Sequence, residues 1–174
     1  MKQTNKNIFK MLIAASVLLV SSTGAFAQYN ATASASATII TPITMSLLSN
    51  MNFGNVAVAA GTGGTVKMDT LGNRLPASGV TLPATSGTVS AASFTVSGAA
   101  GYTYSISFPL SCVITDGTHN MTVDAINSNP ATTGTLGSDG TQKLEFGATL
   151  NVNAGQAAGA YTNTTGLSVT VNYN

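Results

Sequence analysis

Apolar and polar residues alternate with period two through most of this chain, and the alternation is strictest at its end. Leu167, Val169, Val171 and Tyr173 alternate with Ser168, Thr170, Asn172 and Asn174, in residue types that favour strands, so one face is apolar and the other wet. A half-buried β-strand is predicted there. Fully buried, large apolar side chains contribute roughly 1.5–3 kcal/mol each, so the face as a whole rivals a domain's net stability of roughly 5–15 kcal/mol. With no residue after Asn174, cover for this face is expected from earlier in the chain or from another molecule. Where the strand docks decides between a closed monomer and one link in an assembly.

The same period recurs upstream. Ala31, Ala33, Ala35 and Ala37 are helical by composition, but they alternate with Thr32, Ser34, Ser36 and Thr38, which is strand spacing rather than 3.6. Residues 28–40 are therefore read as an extended arm, with Ile39 on the alanine face. Beyond Pro42 the alternation continues through Ile43, Met45 and Leu47, Met51 and Phe53 lead to Gly54, and Val66 and Met68 form a short strand after a glycine-rich turn. Ala92, Phe94 and Val96 and then Tyr102, Tyr104, Ile106 and Phe108 flank Ser97-Gly98-Ala99-Ala100-Gly101, which predicts a hairpin. Strands follow at Cys112 to Ile114, Met121-Thr122-Val123 and Leu144 to Val152. About eight short strands with regular turn signals predict an antiparallel β-sandwich, with Phe94, Val96, Tyr104, Ile106, Phe146, Leu150, Val169 and Val171 sharing one core.

The first 27 residues read as an export signal: Lys2, Lys6 and Lys10, an apolar run over residues 11–20, and Ala25-Phe26-Ala27 before Gln28 give its three parts. The organisation is then a signal over 1–27, an arm over 28–40 and a domain over 41–174. The apolar run is too short to span a bilayer, which takes roughly 20 residues, so no integral membrane segment is expected after signal removal. The signal carries off three of the six basic residues; Lys67, Arg74 and Lys143 then face five acidic ones, a net charge of −2. No basic patch remains to neutralise phosphates, which argues against nucleic acid as a partner. Cys112 is the single cysteine, so an intramolecular disulfide is excluded, and its expected role is a small buried hydrophobe.

Several stretches resemble one family. Pro42-Ile43, Phe53-Gly54, Gly64-Thr65-Val66, the run from Phe94 through Gly98 to Tyr102, Met121-Thr122-Val123, residues 144–150, Gly159-Ala160-Tyr161 and Val169-Thr170-Val171-Asn172-Tyr173 resemble the secreted bacterial domain of unknown function 4402. That family is in turn similar to spore coat protein U and the major subunits of chaperone–usher pili. The resemblance implies an immunoglobulin-like, pilin-like sandwich whose closing strand has an aromatic next to its end, here Tyr173. It also implies a fimbria-like surface protein, with related subunits and a periplasmic chaperone and usher as partners. The chain departs from the pilin pattern in having Cys112 alone instead of a cysteine pair, and an arm of alanine methyls instead of large apolar residues.

Candidate chemistry is sparse. His119, the only histidine, lies in a turn with no second metal ligand near in sequence. No Gly-x-Ser-x-Gly elbow is present. Asp116-Gly117 and Asp139-Gly140 fit turn formation, and Asp124 and Glu145 fall on the wet faces of strands. Asn30-Ala31-Thr32, Asn120-Met121-Thr122 and Asn163-Thr164-Thr165 fit the N-glycosylation pattern, and Asp69-Thr70-Leu71 resembles a bacterial O-glycosylation acceptor. Neither catalysis nor a cofactor is expected. Two function classes remain. The first is an exported structural subunit assembling by strand pairing through Ala31, Ala33, Ala35, Ala37, Ile39, Leu167, Val169, Val171 and Tyr173. The second is a secreted sandwich that adheres to a glycan or protein through loops at one end. The arm fits pairing within its own chain or with a neighbour.

Overall fold

The computed structural model of the protein describes residues 28–163 and 165–174, so the expected export signal lies outside the described residues. The chain divides into two units, Met1–Thr38 and Ile39–Asn174. In the first, residues 28–38 form no strand and are exposed. The second is all-β and antiparallel, a curled half-barrel with no helix among the described residues.

Its strands are β1 (Thr44–Ser49), β2 (Ala57–Val58), β3 (Gly64–Met68), β4 (Arg74–Ser78), β5 (Val80–Thr81), β6 (Ala92–Ser97), β7 (Thr103–Ser107), β8 (Cys112–Thr115), β9 (Asn120–Asn129), β10 (Thr133–Thr135), β11 (Thr141–Val152) and β12 (Thr170–Tyr173). The largest sheet is built on β11. One edge of β11 takes β6 along its first half and β3 along its second, with β1 beyond β6 and β4 beyond β3. Its other edge takes β9, and β8 pairs with β9. A second sheet runs β10-β7-β12, and β2 pairs with β5.

Two local devices let β11 serve so many partners. At Gly147, between its β6 and β3 segments, a Cβ would sit 2.7 Å from the Met68 carbonyl oxygen, so only glycine lets the strands close up there. Opposite, β9 carries a bulge. Asn127 faces Gly147 and Asp124 faces Thr149, leaving an extra residue between them, with Ala125 at φ 47°. The bulge shifts the alternation by one, so that Met121, Val123 and then Ile126 point inward.

The expected hairpin between residues 92–97 and 102–108 is corrected. β6 and β7 lie in different sheets, because the connection sends its amides elsewhere: Gly98 N donates to Gly140 O and Gly101 N to Leu136 O. Both strands still turn their apolar faces to one core. The last strand is also shorter than its pattern. It pairs with β7 only from Thr170, opposite Ser107, and the next positions of β7 run into Pro109, which has no N–H to give. Leu167 and Val169 pack against the core from outside the ladder. Val66, Met68, Val96, Tyr104, Leu144 and Phe146 are completely buried, and Phe94 and Phe108 meet Phe146 edge-on at 5.7 and 5.1 Å. Of the expected shared core, Phe94, Val169 and Val171 are only partly buried against this cluster.

Candidate functional site

The core is not sealed on all sides. A cleft of about 1410 Å³ opens along the inner face of the large sheet, floored by Ala92, Met121, Val123, Ile126, Leu150 and Val152. These floor residues keep 3–9% of their surface, whereas the core residues away from the cleft include six at 0%. Among the described residues no charged side chain lines it; the polar groups at its rim are amides such as Asn50, Asn52, Asn55, Gln156 and Asn163 and hydroxyls such as Thr88 and Thr162.

One wall is the stretch from Leu47 of β1 through residues 50–58. Between β1 and β2 this wall is held by one isolated bridge, Asn52 to Ser90, by a backbone bond from Asn55 N to Ser86 O at 2.7 Å, and by side chains. Arg74 Nη1 donates to the carbonyls of Phe53 and Asn55, and Asn55 Nδ2 donates to Thr85 O at 3.0 Å. The opposite wall runs from Cys112 and Ile114 of β8 to the strap after β11. Tyr161 folds the strap on itself: its hydroxyl donates to Ala157 O at 2.8 Å and accepts from Gln156 Nε2 at 3.0 Å. A pair of backbone bonds between Thr115 and Thr162 ties the strap to β8. Burial pushes the Cys112 thiol up, opposed by a hydrogen bond to Asn163.

The sequence-expected assembly residues fall into distinct places. Ala31, Ala33, Ala35, Ala37 and Ile39 are exposed and belong to no strand. Leu167 lines the cleft, and Val169 and Val171 pack against the core. Tyr173 makes an internal tie. Its hydroxyl donates to Thr41 O at 2.8 Å and accepts from Ala99 N at 2.6 Å, while its ring meets Tyr102 at 5.8 Å. Because β1 and β12 end their respective sheets and do not pair, this tie joins their flanks at one end, and Leu47 and Leu167 face the cleft at the other. The floor and both walls were not singled out from sequence, since partial exposure of strand residues leaves no mark in an alternating pattern.

The ionisable groups serve turns. Asp116 is held well below the usual carboxylate range by the backbone amides of His119 and Thr118, with the His119 ring at 3.1 Å adding to the effect. Asp69 is lowered by the Asn73 side chain and backbone, and Asp139 by the Thr141 hydroxyl and backbone. Glu145 pairs with Lys143 at 2.7 Å on the surface. Among the described residues no three His, Cys, Asp or Glu side chains gather into a metal site, and no helix is long and apolar enough to cross a membrane.

Comparison with protein families matches residues 41–173 to the domain of unknown function DUF4402. No curated protein and no solved structure matches the chain.

Proposed function

We propose, for a chain that belongs to the family of domain of unknown function DUF4402, an exported, non-enzymatic structural subunit, fimbria-like, that assembles at the cell surface through β-strand pairing. The cleft receives an extended strand from a neighbouring copy or related subunit, and residues 29–39 are that strand. The half-barrel is then a pilin-like, immunoglobulin-like sandwich short of one strand, and a periplasmic chaperone and usher are the fitting agents to cover the cleft during export.

The match between cleft and arm carries this reading. The cleft is larger than the roughly 300–1,000 Å³ of small-molecule pockets and, among the described residues, has no charged lining. Residues 28–42 contain no charged side chain and alternate small apolar with polar residues. Four alanine methyls at about 0.8 kcal/mol and Ile39 at about 2 kcal/mol supply about 5 kcal/mol. Ordering the arm costs roughly 1–2 kcal/mol per residue, so ladder hydrogen bonds, at about 0.5–1.5 kcal/mol each, decide the affinity.

Sedimentation of the protein beginning at Gln28, with and without residues 28–38, tests this. The longer protein is expected to form oligomers that grow with concentration, and the shorter one a folded monomer. Oligomers that persist after the deletion overturn the reading.

A further inference from the structure

We propose that the strand taken into the cleft sits between β1 and β12 and bonds to both, so that it joins the two sheets into one. This rests on the cleft accepting residues 29–39 of another copy, as proposed above, and adds where that strand's backbone is bonded.

Backbone direction alternates along an antiparallel pair: each residue turns its N–H and C=O either to its partner strand or away from it. On β7, Ile106 N donates to Thr132 O and Tyr102 O accepts from Leu136 N, so the even-numbered residues serve β10 and the odd-numbered ones serve β12. Asn174 N donates to Thr103 O in agreement. Opposite Ser105 and Ser107 stand Asn172 and Thr170, which leaves the N–H and C=O of Val171 pointing away from β7. The same alternation holds at β1. Gly98 N donates to Gly140 O, so the even-numbered residues of β6 serve β11, while Thr95 and Ser97 serve Ser46 and Thr44. The N–H and C=O of Met45 and Leu47 then point away from β6. Among the described residues no turn or loop bond takes up these outward groups.

The two free edges border one slot. Tyr173 reaches from β12 to Thr41 O, just before β1, at 2.8 Å. A tyrosine side chain with its hydrogen bond spans about 9–10 Å, the width of two strand spacings of roughly 4.7–4.9 Å, so it bridges a gap one strand wide. Six residues after Thr41, Leu47 lines the cleft, as does Leu167, six residues before Tyr173. The edges therefore run in opposite directions along the slot and open into the cleft away from Tyr173. Met45, Val169 and Val171 beside it are only partly buried, and a strand seated there covers them. A third free edge, on β8, is the competing seat. Thr115 exchanges bonds with Thr162 of the strap, so by the same alternation the N–H and C=O of Val113 point outward. That edge is partly taken by the strap and offers one sheet, whereas the slot offers two.

A fluorescent peptide of residues 28–40 is titrated with the protein beginning at Gln28, kept dilute enough to be monomeric, and binding is read by anisotropy. A strand between two edges uses the N–H groups of both its odd-numbered and its even-numbered residues. Peptides methylated on the backbone nitrogens of either set between residues 29 and 39 should therefore both bind at least about tenfold more weakly, the size expected from two or more lost hydrogen bonds. Met45→Pro and Val171→Pro each remove an outward N–H from an edge strand, where proline is tolerated; each should weaken the unmodified peptide about threefold or more, and Val113→Pro should leave it unchanged. If one methylated peptide binds as the unmodified one does, the strand adds to a single edge and the seat is wrong. Binding lost in Val113→Pro but kept in Met45→Pro and Val171→Pro puts the strand on β8 and overturns the seat as well. Should a proline variant fail to fold, by circular dichroism, the methylated peptides on the unaltered protein decide. If the unmodified peptide does not bind, the cleft reading beneath the seat is what fails.

Discussion

The tie between the two sheets sets up a measurable asymmetry. Tyr104 of β7 is completely buried, and its hydroxyl donates to Gln142 Oε1 of β11 at 2.7 Å; the same amide oxygen accepts from Thr135 N of β10 at 2.9 Å. The ring lies over Gly134, its partner across the ladder, where a Cβ would come within 2.3 Å of it. Tyr104→Phe deletes one neutral hydrogen bond and leaves Gln142 with Thr135, at a cost of about 0.5–1.5 kcal/mol. Gln142→Ala instead strands the buried phenol without an acceptor, which costs about 1–3 kcal/mol; Thr135 is exposed, so its amide turns to water. The double variant should cost less than the sum of the two by about 1 kcal/mol, because once the phenol is gone its missing partner no longer matters. Thermal melts followed by circular dichroism resolve this at about 2–4 °C per kcal/mol. Should Tyr104→Phe cost as much as Gln142→Ala, or the pair prove additive, the sheets are not joined through this bond.

Other outcomes follow from backbone and charge. Ala125→Gly is expected to stabilise by about 0.5–1 kcal/mol, since the left-handed conformation costs a residue with a Cβ about 1–2 kcal/mol and glycine gives part of that back in entropy; urea midpoints measure it. Gly147→Ala should destabilise by about 1–3 kcal/mol, because its Cβ meets the Met68 carbonyl and β3 must move away. Asp116, Asp69 and Asp139 have folded pKa values below their unfolded ones, so the native state binds fewer protons. Their contribution is present above about pH 4 and is lost as pH falls from there; stability that stays level down to pH 2 would contradict it. Burial raises the Tyr104 phenol, so its contribution is whole below about pH 10 and is lost as pH climbs through the folded value, which a stability series on Tyr104→Phe isolates.

Period-two alternation located β1, β3, β6, β7, β8, β9 and β11, because each turns one apolar face to a shared core. It missed β4, with Pro76 in an edge strand, and β10, whose Thr-Gly-Thr has no apolar residue to alternate. Pairing was less legible than existence. The stretch around Gly98 reads as a hairpin turn, and only its bonds to Gly140 and Leu136 reveal a crossing between sheets. The bulge at Ala125 carries no glycine to announce it. Tyr173 was marked from sequence as a residue of consequence, but its tie to Thr41 spans most of the domain and leaves no local signal.

The division of the core explains how a domain with an open cleft is still held together. Where β6, β11, β3 and β7 meet, Val96, Leu144, Phe146, Met68, Val66 and Tyr104 are fully enclosed, and each such side chain contributes roughly 1.5–3 kcal/mol. The cleft floor draws on the same strand β11, but from its second half and from β9, through Leu150, Val152, Val123 and, by way of the bulge, Ile126. Strand β11 thus serves an enclosed core and an open cleft at once. If a strand enters the cleft as proposed, it adds to a structure already in place, and the stability it brings should appear as a higher melting temperature on assembly, not as the onset of folding.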